Sequence, residues 1–196
     1  MPSGYEQHLD WVAQRRRSLK ERLAKRFAEP VSLTLEIGCG HGHWLVDYAA
    51  AFPDKTCLGI DIIGDRIERA ERKRQRAGQG NLSFVRGEAF ETLDLMPPQV
   101  TLAEVFILFP DPWPKKRHWK KRLFSLPFLD ELAKRSDPGV LCHFRTDHDP
   151  YFDWALELLP EQQAWEREEG REWPFERETV FQARAPSYQS LILRRV

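Results

Sequence analysis

Residues 109–122 read FPDPWPKKRHWKKR and follow directly on the apolar run Leu102–Leu108, which is typical of a buried strand. Three prolines end the strand here, because proline has a fixed φ and no backbone N–H to donate to a sheet. Asp111 and Trp113 are therefore expected in a stiff proline-rich loop at the carboxyl end of the strand, where open α/β sheets bind ligands. Six of the eight residues 115–122 are Lys or Arg. This basic block lies beside a carboxylate and an aromatic ring. The combination predicts a site where a polyanion binds and one of its bases reacts.

The remainder of the chain alternates between apolar strands and helical segments at the spacing of βαβ units. Strands are predicted at 33–37, 56–63, 82–85, 102–109, 140–144, 179–184 and 188–194. Helices are predicted at 5–26, 43–52, 65–77, 123–134 and 151–159, with a turn at 137–139 and a polar, mobile or helical insert at 161–173. The fold class is therefore α/β and Rossmann-like, with a mostly parallel seven-stranded sheet closed by a C-terminal antiparallel hairpin. We expect a basic helical extension at 1–30 and one domain at 31–196.

Composition says little about the function but bears on the charge, the cysteines and the compartment. The 196 residues carry 30 Lys and Arg against 30 Asp and Glu, so the net charge is zero and local patterning matters more than the total. Three cysteines without a C-x-x-C spacing predict neither a disulfide framework nor a zinc site, and the histidines have no metal-ligand spacing. No signal peptide or membrane span is apparent, which indicates a cytoplasmic protein.

A glycine loop, residues 38–42, follows the first predicted strand and opens a helix. Gly38, Gly40 and Gly42 give the spacing G-x-G-x-G, which departs from the dinucleotide fingerprint G-x-G-x-x-G. Glycines at this position let a ligand touch the backbone. Alone, such a loop fits an NAD-type site or a purely structural turn as well.

Three carboxylates lie around this loop and favour one kind of ligand. Glu36 precedes the loop, Asp61 ends the second strand where it can accept ribose hydroxyls, and Glu88 follows the third strand where it can accept an adenine amine. Because like charges repel, three carboxylates disfavour a phosphate-rich ligand. They suit an uncharged nucleoside that carries a cation, and S-adenosylmethionine is such a molecule.

The chain resembles the tRNA (guanine-N7)-methyltransferases from about residue 33 onwards. The resemblance rests on LEIGCGHG at 35–42, GID at 59–61, FPDPW at 109–113 with Lys115 and RH at 117–118, and TD at 146–147. It implies a class I S-adenosylmethionine-dependent methyltransferase fold and methyl transfer to N7 of a guanosine in the tRNA variable loop. It also implies a cytoplasmic enzyme that is a monomer or homodimer, binds tRNA, and uses neither a metal nor a membrane.

The resemblance assigns roles residue by residue. The catalytic residue it implies is Asp111. Cofactor binding is implied for Glu36, Gly38, Gly40, Gly42, Asp61, Glu88 and Asp111. Binding of the target nucleotide is implied for Lys115, Asp147, Thr179, Val180, Phe181 and Gln182. Contact with tRNA is implied for Arg117, His118, Trp119, Lys120, Lys121 and Arg122.

The sequence departs from the family at three of these positions. The family usually has Glu where Asp61 stands and Asp where Glu88 stands, and both exchanges keep the charge. Its C-terminal motif is T-x-(Phe/Tyr)-Glu, whereas Gln182 ends the corresponding TVFQ here. Guanine presents paired N–H donors, which a carboxylate accepts more strongly than an amide oxygen. Asp147 or Glu178 takes over that role, or guanine discrimination is weaker.

The chemistry of guanine N7 limits what the catalytic residue must do. N7 has a free lone pair and no proton, so attack on a sulfonium methyl group needs no general base. Alignment and exclusion of water are then the main tasks, and Asp111 can stabilise the positive charge that develops on the purine.

Plainer interpretations stay open for each group. Asp111 can be a turn carboxylate, Trp113 and Trp119 can be core residues rather than base-stacking ones, and the basic N-terminal helix can be a solvated face. Two other functions compete: a methyltransferase acting on another RNA or a small molecule, and an RNA-binding protein without turnover.

Overall fold

A computed structural model describes residues 4–177, 182 and 187–196. Six α-helices are present in this part of the chain: α1 (Gly4–Arg26), α2 (His43–Ala51), α3 (Gly64–Arg76), α4 (Ala89–Leu95), α5 (Leu126–Ala133) and α6 (Asp149–Leu158). Seven strands accompany them: β1 (Val31–Ile37), β2 (Thr56–Asp61), β3 (Leu82–Arg86), β4 (Val100–Leu108), β5 (Ser136–Thr146), β6 (Trp165–Arg167) and β7 (Gln189–Arg195). Short 3-10 helices cover Lys116–Lys121 and Leu159–Glu161.

The strands form one sheet in the order β3-β2-β1-β4-β5-β7-β6. The first five are parallel, and β7 runs antiparallel to both β5 and β6. The predicted fold class is thus confirmed, including a mostly parallel seven-stranded sheet with antiparallel strands at its C-terminal end.

Helices cover both faces of this sheet. On one face α1, α4, α5 and α6 bury their apolar side chains against the strands in the larger core cluster. On the other face α2 and α3 form a second cluster, and the half-buried Trp173 and Phe175 extend it over β4 and β5. Leu19, Leu23 and Phe27 of α1 belong to the larger cluster, so this basic helix packs on the domain.

Several elements differ from those predicted. Helix α4 was not predicted; it is only seven residues long, and its start depends on a side-chain cap by Glu88 rather than on an apolar period. The predicted turn at 137–139 lies inside β5 as an irregularity, because the register with β4 jumps from Ser136 to Leu141.

The C-terminal region shows a second difference. Residues 165–167 form β6 within the segment 161–173, which was predicted to be a mobile or helical insert, and the antiparallel partners of β7 are β5 and β6. The strand predicted at 179–184 lies outside the described residues apart from Gln182.

A partly buried polar cluster lies on the α2 face of the sheet. Glu104 of β4 accepts hydrogen bonds from Tyr48 Oη and Lys55 Nζ, both 2.6 Å from its Oε2. His143 Nε2 of β5 lies 3.7 Å from the other oxygen, and Phe106 stacks on the His143 ring at 4.4 Å. Burial alone would raise the pKa of Glu104, but His143, Lys55 and Tyr48 lower it to about 2. Glu104 is therefore a charged structural group.

Candidate functional site

The parallel strands bring most of the predicted residues to one edge of the sheet. Ile37 of β1 is in register with Ile60 of β2 and with Ile107 of β4. The glycine loop, Asp61, the proline-rich loop and the turn at Asp147 therefore follow one another along the carboxyl edge. The chain order reverses between β1 and β4, and ligands of open α/β sheets bind at such a switch point.

The glycine loop is shaped for close approach of a ligand. Gly38 and Gly40 have φ values of 77° and 54°, and a Cβ atom at either position would meet nothing within 4 Å. Their backbone therefore faces open space at the edge of the sheet. Gly42 differs, because a Cβ there would lie 2.5 Å from the Phe84 ring. Two of the three glycines are thus suited to ligand contact, and the third to packing of the loop on β3.

Glu36 is the most unusual carboxyl group at this edge. It lies one residue before the end of β1, is only 4% exposed, and its Oε2 has no hydrogen-bond partner among the described residues. Burial, and then the negative charge of Asp61, raise its pKa to about 8. A buried carboxyl group without a partner and with a shifted pKa marks a candidate site for a cationic ligand.

Asp61 is held by the backbone around it. Its Oδ2 accepts the Gly40 N–H at 3.1 Å and lies 3.5 Å from Arg66, while its Oδ1 accepts the Ile63 N–H at 2.8 Å. These contacts fix the carboxylate against the glycine loop. Two carboxylate oxygens offer about four acceptor sites, so capacity for ribose hydroxyls is left.

Glu88 has a structural role as well as a predicted one. It lies two residues beyond the end of β3, and its Oε2 accepts the Glu91 N–H at 3.0 Å as the N-cap of α4. The cap fixes the side chain at the carboxyl edge of the sheet and occupies only part of its accepting capacity.

The proline-rich loop is strained at both ends. Phe109 and Trp113 have φ values of 52° and 44°, which bulky side chains rarely adopt. Such outliers cluster at functional sites, where the surrounding structure enforces them. Between them Asp111 is exposed and forms no hydrogen bond or ion pair with any residue the structure describes. Its carboxylate is held on a stiff loop and points to no internal partner.

The basic block forms a 3-10 helix directly after the proline-rich loop. Lys115, Lys116, Arg117, Lys120 and Lys121 are exposed. Trp113 lies beneath this block, with Lys121 Nζ 4.6 Å from its ring and the His118 ring 5.7 Å away. The block therefore presents five cations to solvent beside Asp111.

Arg122 departs from its predicted role. Its side chain is 2% exposed and stacks on Trp119, Tyr151 and Trp154 at 4.5 to 5.4 Å. Its Nε donates to the Pro112 carbonyl at 2.9 Å, and an Nη donates to the Pro150 carbonyl at 3.3 Å. The predicted tRNA contact is corrected accordingly: Arg122 joins the proline-rich loop to the start of α6. Trp119 is half-buried against this guanidinium, with a buried Nε1, so it packs internally rather than offering a free face.

The residues predicted for the target nucleotide are only partly described. Lys115 and Asp147 are exposed at the carboxyl edge, and Gln182 is half-buried. Thr179, Val180 and Phe181 lie outside the described residues, so their predicted role stays a prediction.

Arg145 was missed from the sequence, although an arginine inside the apolar run Val140–Thr146 was a signal. Its guanidinium stacks on Trp173 at 3.8 Å and on Tyr188 at 4.7 Å, and it donates to both carboxylate oxygens of Glu176. Its carbonyl accepts the Phe109 N–H at 2.8 Å. Arg145 thus links the proline-rich loop to the residues that flank 178–186.

Helix α1 uses part of its positive charge internally. Arg15 pairs with Glu91, Arg16 pairs with Asp94, and Arg26 donates to Ser83 and to the Gly80 carbonyl. These three cations are structural.

The described part of the chain holds neither a cluster of metal ligands nor a membrane-spanning helix. No group of three or more metal-ligating side chains occurs among residues 4–177, 182 and 187–196. In the same part of the chain, no helix combines the length and apolarity needed to cross a bilayer.

Comparison with known proteins places this site in a family. A family profile described as "Putative methyltransferase" matches residues 30–189. The tRNA (guanine-N(7)-)-methyltransferase of Halorhodospira halophila is 38% identical over 133 residues, which are 68% of this chain and 58% of the relative. That of Chromobacterium violaceum is 39% identical over 137 residues, covering 70% and 61% of the two chains. The chain thus spans about three fifths of the length of these relatives.

Solved structures agree on the fold. TrmN from Thermus thermophilus superimposes with a TM-score of 0.61 at 15% identity, covering 90% of this chain and 48% of that one. The aminoglycoside resistance methyltransferase NpmB1 gives a TM-score of 0.56 at 20% identity, covering 90% and 93%. At such identities the likeness to these structures shows the fold alone. The family profile and the sequence relatives agree with the glycine loop and the FPDPW loop on one sheet edge. They show that this chain belongs to the tRNA (guanine-N7)-methyltransferase family.

Proposed function

We propose that this protein transfers a methyl group from S-adenosylmethionine to N7 of a guanosine in the variable loop of tRNA. The observation that carries the proposal is the position of Asp111 on the carboxyl edge, between the open glycine loop and the exposed basic block. The names of the sequence relatives supply the reaction and the class of RNA. The position within the tRNA rests on the family resemblance.

The residues around the glycine loop fit the methyl donor. Glu36 is buried with an unpartnered oxygen, so the ammonium group of the donor's amino acid would satisfy it. The open backbone at Gly38 and Gly40 leaves space for the ligand, while Asp61 and Glu88 are fixed carboxylates for ribose hydroxyls and the adenine amine. When bound, the donor supplies an electrophilic methyl group on a sulfonium.

The protein's own task is to bind, orient and stabilise. Guanine N7 carries no proton, so no side chain has to remove one before transfer. Asp111 stabilises the positive charge that the purine acquires, which is electrostatic catalysis by a preorganised carboxylate. Asp147, in the turn after β5, accepts the guanine N1–H and N2–H, and Lys115 contacts the nucleotide from the start of the basic block.

Incubation with labelled S-adenosylmethionine and unmodified tRNA tests the proposal. Label should appear as 7-methylguanosine in the nucleoside digest and vanish when the variable-loop guanosine is replaced by adenosine. Asp111→Asn should lower the rate about 100-fold, the order of loss seen when one electrostatic contact to a transition state is removed. Absence of 7-methylguanosine with wild-type protein would reject the reaction, and label elsewhere in the tRNA would reject the position.

Gln182 favours one alternative, methylation of a different RNA or of a small molecule, because an amide binds guanine more weakly than a carboxylate does. If tRNA guanosine is the substrate, Gln182→Glu should raise activity on tRNA several-fold. A non-catalytic RNA-binding protein would instead bind S-adenosylhomocysteine weakly, which calorimetry measures. We expect the active protein to act in the cytoplasm as a monomer or homodimer.

A further inference from the structure

Helix α3 carries a row of cations on one face. Arg69, Arg72, Lys73 and Arg76 follow the spacing i, i+3, i+4, i+7, which places their side chains on the same side of the helix. Three of them are exposed, and Lys73 is half-buried. None has a carboxylate of a described residue within ion-pair distance, whereas Arg74 of the same helix pairs with Glu71 at 2.5 Å. The row is therefore an uncompensated positive surface.

This row borders a concave site rather than a flat surface. A cavity of about 270 Å³ is lined by its four cations together with His41 and His43. Lys73 Nζ donates to the His41 carbonyl at 2.8 Å, which joins the helix to the glycine loop. Asp47, whose charge acts on His43, is itself paired with Arg177 at 2.7 Å.

The histidines report the local charge. Burial first, and then neighbouring cations that include Arg69 and Lys73, lower the pKa of His41. Burial and the charge of Lys73 likewise lower the pKa of His43, against the opposing effect of Asp47. At neutral pH both rings are therefore neutral hydrogen-bonding groups beside four fixed cations. Such a mixture of guanidinium, ammonium and imidazole groups suits a phosphate.

The position of the cavity relates it to the candidate active site. His41 belongs to the glycine loop, at the end of β1, whereas the basic block follows β4 on the other side of the switch point. Helix α3 connects β2 to β3, which lie on one side of β1, whereas β4 and the basic block lie on the other side. A polyanion that contacts both surfaces therefore has to span the carboxyl ends of β1 and β4, and the exposed Asp111 follows β4.

We propose that the α3 cavity, lined by Arg69, Arg72, Lys73, Arg76, His41 and His43, binds phosphodiester groups of the RNA substrate. This proposal rests on the proposed function, since it places a second anchor for the same RNA. The two anchors would hold the backbone on either side of the nucleotide that enters the site. An RNA that reaches only the basic block would be held at one point and would be methylated less efficiently.

The salt dependence of tRNA binding tests the inference. Each phosphate contact contributes roughly 0.7–0.9 to the slope of log affinity against log salt concentration. The double variant Arg72→Ala, Arg76→Ala should therefore lower the slope by roughly 1.5. Between 50 and 200 mM salt the wild type should then lose roughly eightfold more affinity than this variant does. The double variant should keep the wild-type affinity for S-adenosylhomocysteine.

Arg74→Ala is the matched control, because it removes one cation of the same helix that is already paired with Glu71. Its slope should stay within experimental error of the wild type. If wild-type protein forms 7-methylguanosine while the double variant keeps the wild-type slope, the α3 anchor is refuted and the proposed function stands. If wild-type protein neither binds nor methylates tRNA, the proposed function fails, and the anchor fails with it.

Discussion

Replacing Glu36 by Gln should stabilise the unliganded protein at neutral pH. It should also abolish the decline of the free energy of unfolding between about pH 4.5 and 8. Burial raises the pKa of Glu36 from 4.5 to about 8, so the folded protein holds a proton that the unfolded chain releases in this range. Stability is then greatest below pH 4.5 and falls as the pH rises towards 8. At roughly 1.4 kcal/mol for each pKa unit, the loss is about 3 kcal/mol at pH 7 and about 4 kcal/mol at pH 8, and it approaches about 5 kcal/mol above pH 8.

Urea unfolding between pH 5 and 8.5 measures this effect. The free energy of unfolding of Glu36→Gln should exceed that of the wild type by about 1 kcal/mol at pH 5 and by about 3 kcal/mol at pH 7. Glu104→Gln is an informative control, because Glu104 is a half-buried strand glutamate whose pKa is lowered to about 2. Its charge stabilises the fold above pH 4.5 and is lost as the pH falls towards 2, so this variant should be less stable than the wild type at pH 7.

The same carboxyl group predicts that ligand binding releases a proton. If Glu36 pairs with the ammonium of S-adenosylhomocysteine, binding at pH 7 releases about one proton, since the group must ionise. Calorimetry in buffers of different ionisation enthalpy should show this proton for the wild type and none for Glu36→Gln, whose affinity should also fall. A wild-type stability that does not decline between pH 5 and 8, or a variant with the same decline, would refute the reasoning.

Three further perturbations test other parts of the site. Arg122→Ala should lower kcat by more than tenfold and leave the salt slope of tRNA binding unchanged, because the side chain positions Pro112 and Pro150 instead of contacting phosphate. Added guanidinium should restore part of kcat. A flattened slope would contradict this role. Lys120→Ala with Lys121→Ala should lower that slope by roughly 1.5, as expected for two lost phosphate contacts. An unchanged slope would show that these lysines do not contact the tRNA. Gly42→Ala should cost about 2–4 kcal/mol in urea unfolding, since its Cβ would overlap Phe84 at a positive φ; Gly40→Ala should cost only about 1–2 kcal/mol, and equal losses would argue against the close packing at Gly42.

Much of the site could be predicted because it depends on strand ends. Parallel strands align their carboxyl ends, so residues after successive apolar runs must meet at one edge. This argument places Glu36, Asp61 and Asp111 near the glycine loop without any coordinates. It needs only the order of strands and helices, which apolar runs and glycine or proline breaks reveal.

What could not be predicted depends on which side chains meet across the fold. Arg122 ends a run of exposed cations, and only the positions of Trp119, Tyr151 and Trp154 show that it is buried. The charge of Glu104 likewise depends on Tyr48 and Lys55, which are distant in sequence. Strand β6 is three residues long and too short for an apolar alternation to mark it.

The placement of β7 between β5 and β6 has a consequence for biosynthesis. Both of its neighbours leave the ribosome before it does, yet each can pair only with β7 on that side of the sheet. Until β7 is translated, β5 presents an uncovered row of amides and carbonyls to other nascent chains. A chaperone that shields strand edges should therefore associate with chains in which β5 has emerged from the ribosome, and dissociate once β7 has emerged and paired.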